Sequence, residues 1–348
     1  MSEPDVLVRV EGRAGRITLN RPKALNALNA AMVGPIMRAL DDWRDDAGVD
    51  LVLIDASGER AFCAGGDLRQ VYESTATAGF EPARRFWVEE YRLNRAIARY
   101  PKPYVAVMDG ITMGGGVGLS AHGSHRIVTE RSTLAMPECA IGLVPDVGGS
   151  LILATAPGRL GEFLGLTGWR MKAAEAIATG FADVEVPAER LEALKRTLCE
   201  TGDPARIASF AVPPGPDRLA PLRSRIDAIF RAPTLREIVA GVEASAEPFA
   251  AEALSAIRAA SPLSLAATLA LVRTVRETPT IEAALGTEYR FTHRSQSEGD
   301  LQEGIRAVVI DKDRKPRWAD ALDGFDETKG AAMLRPLGAD ELQWEDTP

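Results

Sequence analysis

The pattern of apolar and polar positions at the start of the chain changes from strand-like alternation to helical spacing. Residues 5–10 (DVLVRV) and 15–20 (GRITLN) alternate on either side of a Glu-Gly pair, which predicts a β-hairpin. The stretch AAMVGPIMRALDDW then carries apolar residues three and four positions apart, which predicts an amphipathic helix capped by Asn29. The apolar run 51–55 (LVLID) is short and uninterrupted, as expected of a buried strand.

A strand, a glycine-rich turn and a helix then follow one another twice. After the strand LVLID come the turn AFCAGGD, a helix from about Leu68 and a second helix, FWVEEYRLNRAIARY. The strand 103–110 (PYVAVMDG) is followed by the turn MGGGVG and by LSAHG, which we expect to continue as helix. Two short strands, HRIVTE and STLAMPE, precede a helix that begins in DVGGSLILAT, and FADVEVP (181–187) closes the series. Strands that alternate with helices predict an α/β domain whose strands are mostly parallel.

The strand signal ends near residue 188. A proline-rich loop occupies residues 211–221, and the rest of the chain has the pattern of helices separated by Pro or Gly. We therefore expect an α/β core over residues 1–190 and a helical region over residues 191–348.

The amino-acid composition and net charge restrict the kinds of molecule that the protein is expected to bind. The 348 residues are 46% hydrophobic, which is enough for a large core, and the net charge is −8. This charge argues against nucleic acid or an anionic membrane as the main partner, because both bind basic surfaces. An anionic small ligand stays open, since it needs only a few local Lys or Arg residues.

Cysteine usage and the N-terminal residues indicate the compartment. Cys63, Cys139 and Cys199 form no C-x-x-C pair and leave an odd count, which argues against a disulfide scaffold and against structural zinc. The N-terminal stretch MSEPDVLVRVEG is acidic and lacks the apolar core of a signal peptide, and no apolar run is long enough to span a membrane. We therefore expect a cytoplasmic protein that is not inserted in a membrane.

Two carboxylates stand out in the apolar segment 132–158, where Glu138 and Asp146 are the only charged residues. Burying an unpaired carboxylate is costly, and its pKa rises in response. The pair is therefore either a buried structural arrangement or an acid/base site. Asp146 has a third interpretation, as the cap of a helix that begins in VGGSLILA.

Two glycine-rich turns follow predicted strands, at 64–67 (AGGD) and at 114–116 (GGG). Glycine allows unusual backbone angles and lets a ligand approach the amides closely. Turns from neighbouring strands can aim two N–H donors at one oxygen, which is what an oxyanion hole requires. The alternative is that both turns are only tight connections between a strand and a helix.

Other chemistries match the sequence less well. GGGVGL lacks the last glycine of a dinucleotide-binding G-x-G-x-x-G, and no phosphate-binding G-x-x-x-x-G-K-[ST] occurs. Ser120 lies in GLSAH, which differs from the serine-hydrolase motif G-x-S-x-G by its final histidine. His122 and His125 lack a third metal ligand nearby, and Cys63 has no basic neighbour in sequence that would activate it as a nucleophile. We therefore expect no metal site, and a core position for Cys63.

Four segments together resemble one family. LNRPKALNAL, ERAFCAGGDLR, GITMGGGVGLSAHG and MPECAIGLVPDVGGS are similar to motifs of the enoyl-CoA hydratase/isomerase (crotonase) superfamily. They are most similar to its 3-hydroxyisobutyryl-CoA hydrolase branch, which the stretch 261–318 also resembles. The resemblance implies an α/β fold, the crotonase-like spiral of β-β-α units with a C-terminal helical region that covers the site and mediates trimer contacts. It also implies an acyl-CoA thioester as substrate, a homo-oligomer, and no cofactor beyond the CoA that the substrate carries.

The resemblance assigns roles to residues of this chain by position. The backbone N–H groups of Gly66 and Gly115 would form an oxyanion hole for the thioester carbonyl. Glu138 corresponds to the glutamate of the family's proline-glutamate motif, while the position of the other hydratase glutamate falls on Gly118, which has no side chain. Asp146 supplies the second carboxylate instead, as in the hydrolase branch. The substrate-contacting positions implied in this way are Glu90, Gly118, Lys23, Ala24, Leu25, Phe62 and Ala64.

These roles imply hydrolysis of 3-hydroxyisobutyryl-CoA, or of a related 3-hydroxyacyl-CoA, to free CoA and the hydroxy acid, a step of valine catabolism. Glu138 would either attack the carbonyl or act as general base on water. For Glu90, a solvated helix charge is an equal alternative to a substrate contact. Two other functional classes stay open: an enoyl-CoA hydratase/isomerase, which releases no thiol, and a non-catalytic acyl-CoA binder.

Overall fold

The computed structural model describes residues 3–344, which form nine β-strands and fifteen α-helices. The strands are β1 (Val6–Glu11), β2 (Ala14–Leu19), β3 (Leu51–Ala56), β4 (Ala61–Cys63), β5 (Tyr104–Met108), β6 (Ile111–Met113), β7 (His125–Val128), β8 (Thr133–Ala135) and β9 (Val184–Glu185). The helices are α1 (Ala30–Arg44), α2 (Leu68–Ala78), α3 (Glu81–Ala98), α4 (Gly115–Ser120), α5 (Gly149–Thr155), α6 (Leu160–Thr167), α7 (Ala173–Ala178), α8 (Leu191–Thr201), α9 (Arg223–Phe230), α10 (Leu235–Glu243), α11 (Pro248–Ala259), α12 (Pro262–Glu277), α13 (Ile281–Ser295), α14 (Leu301–Ile305) and α15 (Thr328–Met333).

The described residues divide into two compact units, each made of three segments. The first unit comprises residues 3–67, 89–135 and 170–218, and the second comprises 68–88, 136–169 and 219–344. The two units interleave along the chain, so they do not meet at a single boundary in sequence. The division into an α/β core over residues 1–190 and a helical region over residues 191–348 stays a prediction.

The first unit contains a six-stranded sheet in the order β1-β2-β3-β5-β7-β9. The β1–β2 pair is antiparallel, and every other neighbouring pair in the sheet is parallel. The predicted hairpin and the predicted parallel arrangement are therefore confirmed. The first five residues of β3 are buried, because this strand is paired on both edges and covered on both faces.

A second sheet in the same unit pairs three short parallel strands in the order β4-β6-β8. The sequence predicted β8 but treated β4 and β6 as parts of turns, since three residues are too few to show an alternating pattern. Three times along the chain, a strand of the larger sheet is followed by a strand of the smaller sheet before the next α-helix, as in β3-β4-α2 and β5-β6-α4. This order is the repeating β-β-α unit that the family resemblance implies.

Helix α4 ends earlier than expected. The prediction that LSAHG continues as helix is wrong beyond Ser120, where the helix stops. Gly123 then packs so closely against Tyr104 that a Cβ at this position would lie 2.8 Å from the Tyr104 ring. The chain turns at this contact in order to enter β7.

Helix α8 covers one face of the larger sheet and closes the core of the first unit. Its apolar residues Leu191, Leu194 and Leu198 are buried in one cluster with sheet residues such as Leu53 and Val105. These leucines recur three and four positions apart, which places them on one helix face. Burial of this face against the sheet stabilises the unit through the hydrophobic effect.

The second unit is helical, and α12 lies at its centre. Eleven residues of α12 are buried. In the same unit, Phe163 of α6 makes edge-on contacts with Phe230 and Phe249 at centroid distances of 5.4 and 5.9 Å.

Within residues 3–344, no single helix has the length and apolar content that a membrane crossing requires. Helices α11 and α12 meet that requirement only as a pair, and they are bent by 114° at their junction.

Candidate active site

The first amide predicted to donate to the oxyanion is that of Gly66. It lies in a turn that a short parallel bridge to Leu28 stabilises. The Leu28 amide donates to the Gly65 carbonyl at 2.8 Å, and the Asp67 amide donates to the Leu28 carbonyl at 2.8 Å. Leu28 thus bonds on either side of Gly66, so the Gly66 N–H points to the opposite side of the backbone. Gly65 makes this geometry accessible, because its φ of +116° is rare for residues with a side chain.

The second predicted amide, that of Gly115, opens α4 directly after β6. Amides in the first turn of a helix have no acceptor within the helix, and Gly114 (φ +48°) directs the chain into this turn. A Cβ on Gly115 would lie 3.4 Å from the Gly66 nitrogen and 2.8 Å from Glu90 Oε1. The structure therefore brings Gly66, Gly115 and Glu90 together within the first unit.

Glu90 lies on the buried face of α3. It is 2% exposed, whereas the adjacent Glu89 is exposed, so the two neighbouring glutamates have opposite environments. The interpretation of Glu90 as a solvated helix charge is therefore wrong. A buried carboxylate is either a binding group or a structural group, and the role of Glu90 as a substrate contact stays a prediction.

The loop that contains Lys23, Ala24 and Leu25 is tied to the Gly66 turn. Pro22–Ala24 form an exposed 3-10 turn, and the Ala64 amide donates to the Leu25 carbonyl at 3.1 Å. Of the other predicted groove positions, the Phe62 side chain is fully buried, so it offers a ligand no exposed surface in this structure.

Two residues that sequence reasoning missed fix this loop. The Asn26 amide donates to the carbonyls of Ser57 and Ala61 at 3.0 and 2.9 Å, and it holds the loop against β4. Arg21 pairs with Asp67 at 3.0 Å, which ties the start of the loop to the residue after Gly66. The polar residues in NRPKALN and GGD were the available signal, since they lie next to the glycine turn and the loop.

The alternative nucleophiles in the first unit are poorly placed for catalysis. The Ser120 hydroxyl is fully buried and donates to the Gly116 carbonyl at 2.6 Å. Burial raises the pKa of Cys63 to about 12, so this thiol stays protonated. Among the described residues, no group of three or more His, Cys, Asp or Glu side chains is arranged to hold a metal ion.

Glu138 and Asp146 are both buried in the second unit, at 5% and 4% exposure. Glu138 begins a 3-10 turn after Pro137, and its Oε2 has no hydrogen-bond partner among the described residues. Burial first, then the charge of Asp146 and then that of Glu288, raises the pKa of Glu138 well above its usual value. The two predicted carboxylates are therefore buried in the same unit, where the charge of Asp146 disfavours ionisation of Glu138.

A second buried glutamate in the same unit shows what a structural carboxylate looks like here. Glu162 is fully buried, yet it pairs with Arg276 at 2.6 Å and with Arg159 at 2.9 Å. Burial raises its pKa, but the hydrogen bonds from these two arginines outweigh that effect and hold the pKa below the usual value. Among the described residues, no cation pairs with Glu138 in this way, and a buried carboxylate with a raised pKa is common at catalytic sites.

Asp146 does not cap α5. The helix begins at Gly149 with Gly148 as its N-cap residue, so the capping interpretation is wrong. Asp146 instead opens a tight turn in which the Gly149 amide donates to the Asp146 carbonyl at 2.7 Å. Val147 and Gly148, in the middle of this turn, have φ angles of +55° and +77°.

Sequence reasoning also missed Glu288, a third buried carboxylate in this region. It lies on α13, is 0% exposed, and accepts hydrogen bonds from the Gly148 amide at 2.8 Å and from the Ser150 amide at 3.1 Å. Burial, opposed by the hydrogen bonds from Ser150 and Gly148, raises the pKa of Glu288 to about 8, and Asp146 adds to the rise. The only signal in the sequence was the EYR segment within the stretch 261–318.

Comparison with known proteins places this chain in a family. The family model described as enoyl-CoA hydratase/isomerase matches residues 14–333. Proteins named 3-hydroxyisobutyryl-CoA hydrolase, mitochondrial, from Gallus gallus and Homo sapiens are 40% and 41% identical, each over 98% of this chain and 91% of the relative.

Two solved structures are also similar over nearly the whole chain. One is described as an enoyl-CoA hydratase from Rhodobacter sphaeroides 2.4.1, with a TM-score of 0.91 and 50% identity over 98% of this chain and 100% of that chain. The other is described as a carnitinyl-CoA dehydratase from Mycobacterium thermoresistibile, with a TM-score of 0.94 and 43% identity over 99% and 100%. The chain belongs to the enoyl-CoA hydratase/isomerase (crotonase) family, in the branch of the 3-hydroxyisobutyryl-CoA hydrolases.

Proposed function

We propose that this chain hydrolyses the thioester of 3-hydroxyisobutyryl-CoA, or of a related 3-hydroxyacyl-CoA, and releases free CoA and the hydroxy acid, a step of valine catabolism. The names of the curated relatives support this reaction. Within the site, the observation that carries the proposal is the buried pair Glu138 and Asp146, in which the pKa of Glu138 is raised and no cation from residues 3–344 pairs with Glu138.

The amides of the first unit would act on the carbonyl oxygen of the thioester. Addition of a nucleophile to the carbonyl carbon places negative charge on this oxygen, and the N–H groups of Gly66 and Gly115 would stabilise that charge. Removal of one such donor typically costs ~3–4 kcal/mol in transition-state stabilisation. Glu90, next to Gly115, would contact the acyl part of the substrate.

Glu138 would supply the nucleophile or the base. As a base, it takes a proton from water while the hydroxide oxygen bonds to the carbonyl carbon, and it returns the proton to the CoA sulfur as the C–S bond breaks. As a nucleophile, its oxygen forms a mixed anhydride with release of the CoA thiolate, and water then hydrolyses that anhydride. A raised pKa suits the first role, because proton transfer is most efficient when the pKa lies near the working pH.

Asp146 would orient the attacking water or the substrate hydroxyl, and its charge keeps the proton affinity of Glu138 high. Two carboxylates that interact in this way titrate as a coupled pair, so the pH profile reports on the pair rather than on either residue. The reaction needs no metal or redox cofactor, since both the nucleophile and the oxyanion donors come from the chain and CoA is part of the substrate.

The second candidate function is enoyl-CoA hydration or isomerisation. The descriptions of the two similar solved structures, a hydratase and a dehydratase, favour it. The glycine at position 118 weighs against it, because hydratases of this family have a catalytic glutamate at the corresponding position and glycine has no group that holds a proton. Thioester hydrolysis keeps its full set of groups in this chain, whereas hydration loses one.

The test is a comparison of two reactions with the same purified protein. We expect thiol release from 3-hydroxyisobutyryl-CoA, followed with a thiol reagent, and far slower hydration of crotonyl-CoA, followed by loss of the enoyl absorbance. 3-Hydroxypropionyl-CoA in the same panel defines which acyl groups are accepted. Fast crotonyl-CoA hydration without thiol release would establish the hydratase instead, and binding of all three esters without turnover would establish a binding protein.

The compartment and the assembly are also part of this proposal. The three cysteines are buried and form no disulfide, which suits a reducing compartment such as the cytoplasm, while the curated relatives are named as mitochondrial proteins. The family resemblance favours a homo-oligomer with trimer contacts. Light scattering on the purified chain measures the mass of the assembly and tests that expectation.

A further inference from the structure

The turn that follows Asp146 adopts a conformation that its own sequence does not favour. Val147 has a φ of +55°, and a β-branched residue in the left-handed region is a true outlier. Such a conformation persists only where the surrounding structure holds it in place, and it is most common at functional sites. Within the turn, the Gly149 amide donates to the Asp146 carbonyl at 2.7 Å.

Glu288, which lies outside the turn, forms hydrogen bonds with it. Its Oε2 accepts from the Gly148 amide at 2.8 Å, and its Oε1 accepts from the Ser150 amide at 3.1 Å and from the Ser150 hydroxyl. Both carboxylate oxygens therefore bind the backbone on either side of Gly149. Two contacts from one rigid group fix the position and the orientation of the turn, in the same way as a bidentate pair fixes a ligand.

The residue that makes these contacts lies on a well-anchored helix. Glu288 is in the middle of α13, a helix of 15 residues whose Thr280 side chain caps the N-terminus by accepting from the Ala283 amide at 3.2 Å. α13 also packs against α5 and α12 in the same unit. A group on such a helix transmits a fixed position, because neither its backbone nor its buried side chain is free to move.

A carboxylate is a costly choice for this task. In the part of the chain that the structure describes, Glu288 forms no ion pair with Lys, Arg or His, and the charge of Asp146 raises its pKa. A neutral acceptor such as a serine hydroxyl normally caps a helix start without burying a charge. In its ionised form Glu288 also raises the pKa of Glu138, an effect on the proposed catalytic pair that a neutral cap lacks.

We infer that Glu288 is a positioning residue: its carboxylate clamps the turn 146–150 and thereby holds Asp146 in its working orientation beside Glu138. The catalytic purpose of holding Asp146 in place rests on the proposed hydrolase function. The clamp itself stands on the hydrogen bonds to Gly148 and Ser150.

Glu288→Gln is the first test, because it keeps the size of the side chain. An amide offers one acceptor oxygen and presents an NH₂ group to the remaining donor, so one side of the clamp is lost. We expect kcat to fall by about 10²-fold, the loss typical of a catalytic group displaced by about 1 Å, with little change in KM. Glu288→Asp, which keeps both acceptors on a shorter stem, should recover part of the loss.

A double-mutant cycle separates positioning from a general structural role. If Glu288 acts through Asp146, Glu288→Gln should reduce kcat much less in an Asp146→Asn background than in the wild type. Glu282→Gln, a charge-neutralising change on the same helix, is the matched control and should leave kcat unchanged. Equal losses from Glu288→Gln in both backgrounds would overturn the inference.

Hydrogen exchange tests the clamp without any assay of activity. In the folded Glu288→Gln variant, backbone amides in residues 146–152 should exchange faster than in the wild type, while the rest of α13 stays protected. Unchanged exchange in this segment would overturn the clamp even if kcat falls. If the wild-type protein releases no thiol from any of the esters, the proposed function fails, and the exchange experiment still decides the clamp by itself.

Discussion

The carboxylate of Glu90 occupies the space that a side chain at position 115 would need, because a Cβ on Gly115 would lie 2.8 Å from Glu90 Oε1. Gly115→Ala should therefore fold, since the end of a flexible side chain can move aside, but it should displace Glu90 and crowd the Gly66 amide. We expect a fall in kcat/KM of ~10²-fold, comparable to the loss of one oxyanion donor. Steady-state kinetics with a 3-hydroxyacyl-CoA ester measure this loss.

Gly116→Ala is the matched control for that substitution. Its Cβ would lie 2.3 Å from the Cys63 carbonyl oxygen, and backbone cannot move aside as a side chain can. We expect this variant to lose stability by ~1–3 kcal/mol, the usual range for overpacking, as measured by urea unfolding. If Gly115→Ala were as destabilised as Gly116→Ala and kept full activity when folded, position 115 would have a packing role only.

Glu138→Gln should keep acyl-CoA binding and lose nearly all turnover, because the change preserves the shape of the side chain and removes the base or nucleophile. We expect at least ~10²-fold lower kcat, in the range of general acid–base contributions. Asp146→Asn should also lower kcat, and the double variant should lose much less than the sum of the two effects. Isothermal calorimetry with a non-hydrolysable ester checks binding.

Ser120→Ala is the control for this pair. The hydroxyl is buried and bonded to the Gly116 carbonyl, so its loss should leave kcat nearly unchanged. A collapse of activity in this variant, with Glu138→Gln still active, would identify a serine hydrolase and contradict the carboxylate mechanism.

The sequence predicted those parts of the fold that show a long, repeated pattern. The hairpin of β1 and β2, the buried strand β3 and the cap of α1 by Asn29 are confirmed, because each depends on a local pattern of side chains. The strands β4 and β6 were missed, since a three-residue strand is stabilised by its partners in the sheet and leaves no local pattern.

The same distinction holds for the site. Glu138 and Asp146 were visible because two charges in an apolar segment are unusual. The contact between Ser150 and Glu288 spans 138 positions, and no spacing in one sequence predicts such a pairing. The left-handed conformation of Val147 could not be predicted either, since residue type argues against it and tertiary contacts impose it.

Glu89 and Glu90 form a natural pair of test and control on one helix. Glu90→Gln should lower kcat/KM by ~10–100-fold, because a hydrogen bond to a charged group contributes ~1.5–3 kcal/mol. Glu89→Gln should have no effect, since its carboxylate is exposed. Equal activity of the two variants would show that the burial of Glu90 has a structural purpose only.

The raised pKa of Glu138 also predicts how the stability of the protein changes with pH. In the folded chain this carboxyl keeps its proton at pH values where the unfolded chain, with a pKa near 4.5, has released it. The folded state then binds more protons than the unfolded state, so the free energy of unfolding falls as the pH rises above about 5. Glu288, with its pKa raised to about 8, acts in the same direction.

Glu138→Gln removes the contribution of Glu138 and leaves Glu288 in place. We therefore expect the variant to match the wild type in stability near pH 4.5 and to become the more stable of the two as the pH rises towards 8, because a neutral amide has no charge to bury. Thermal unfolding of both proteins across this range measures the difference. Glu89→Gln, on the protein surface, should give a constant offset at every pH. A wild type that is more stable than Glu138→Gln at pH 8 would mean that the charged form of Glu138 is favoured by the fold, which would contradict the raised pKa and the assignment of Glu138 as a base.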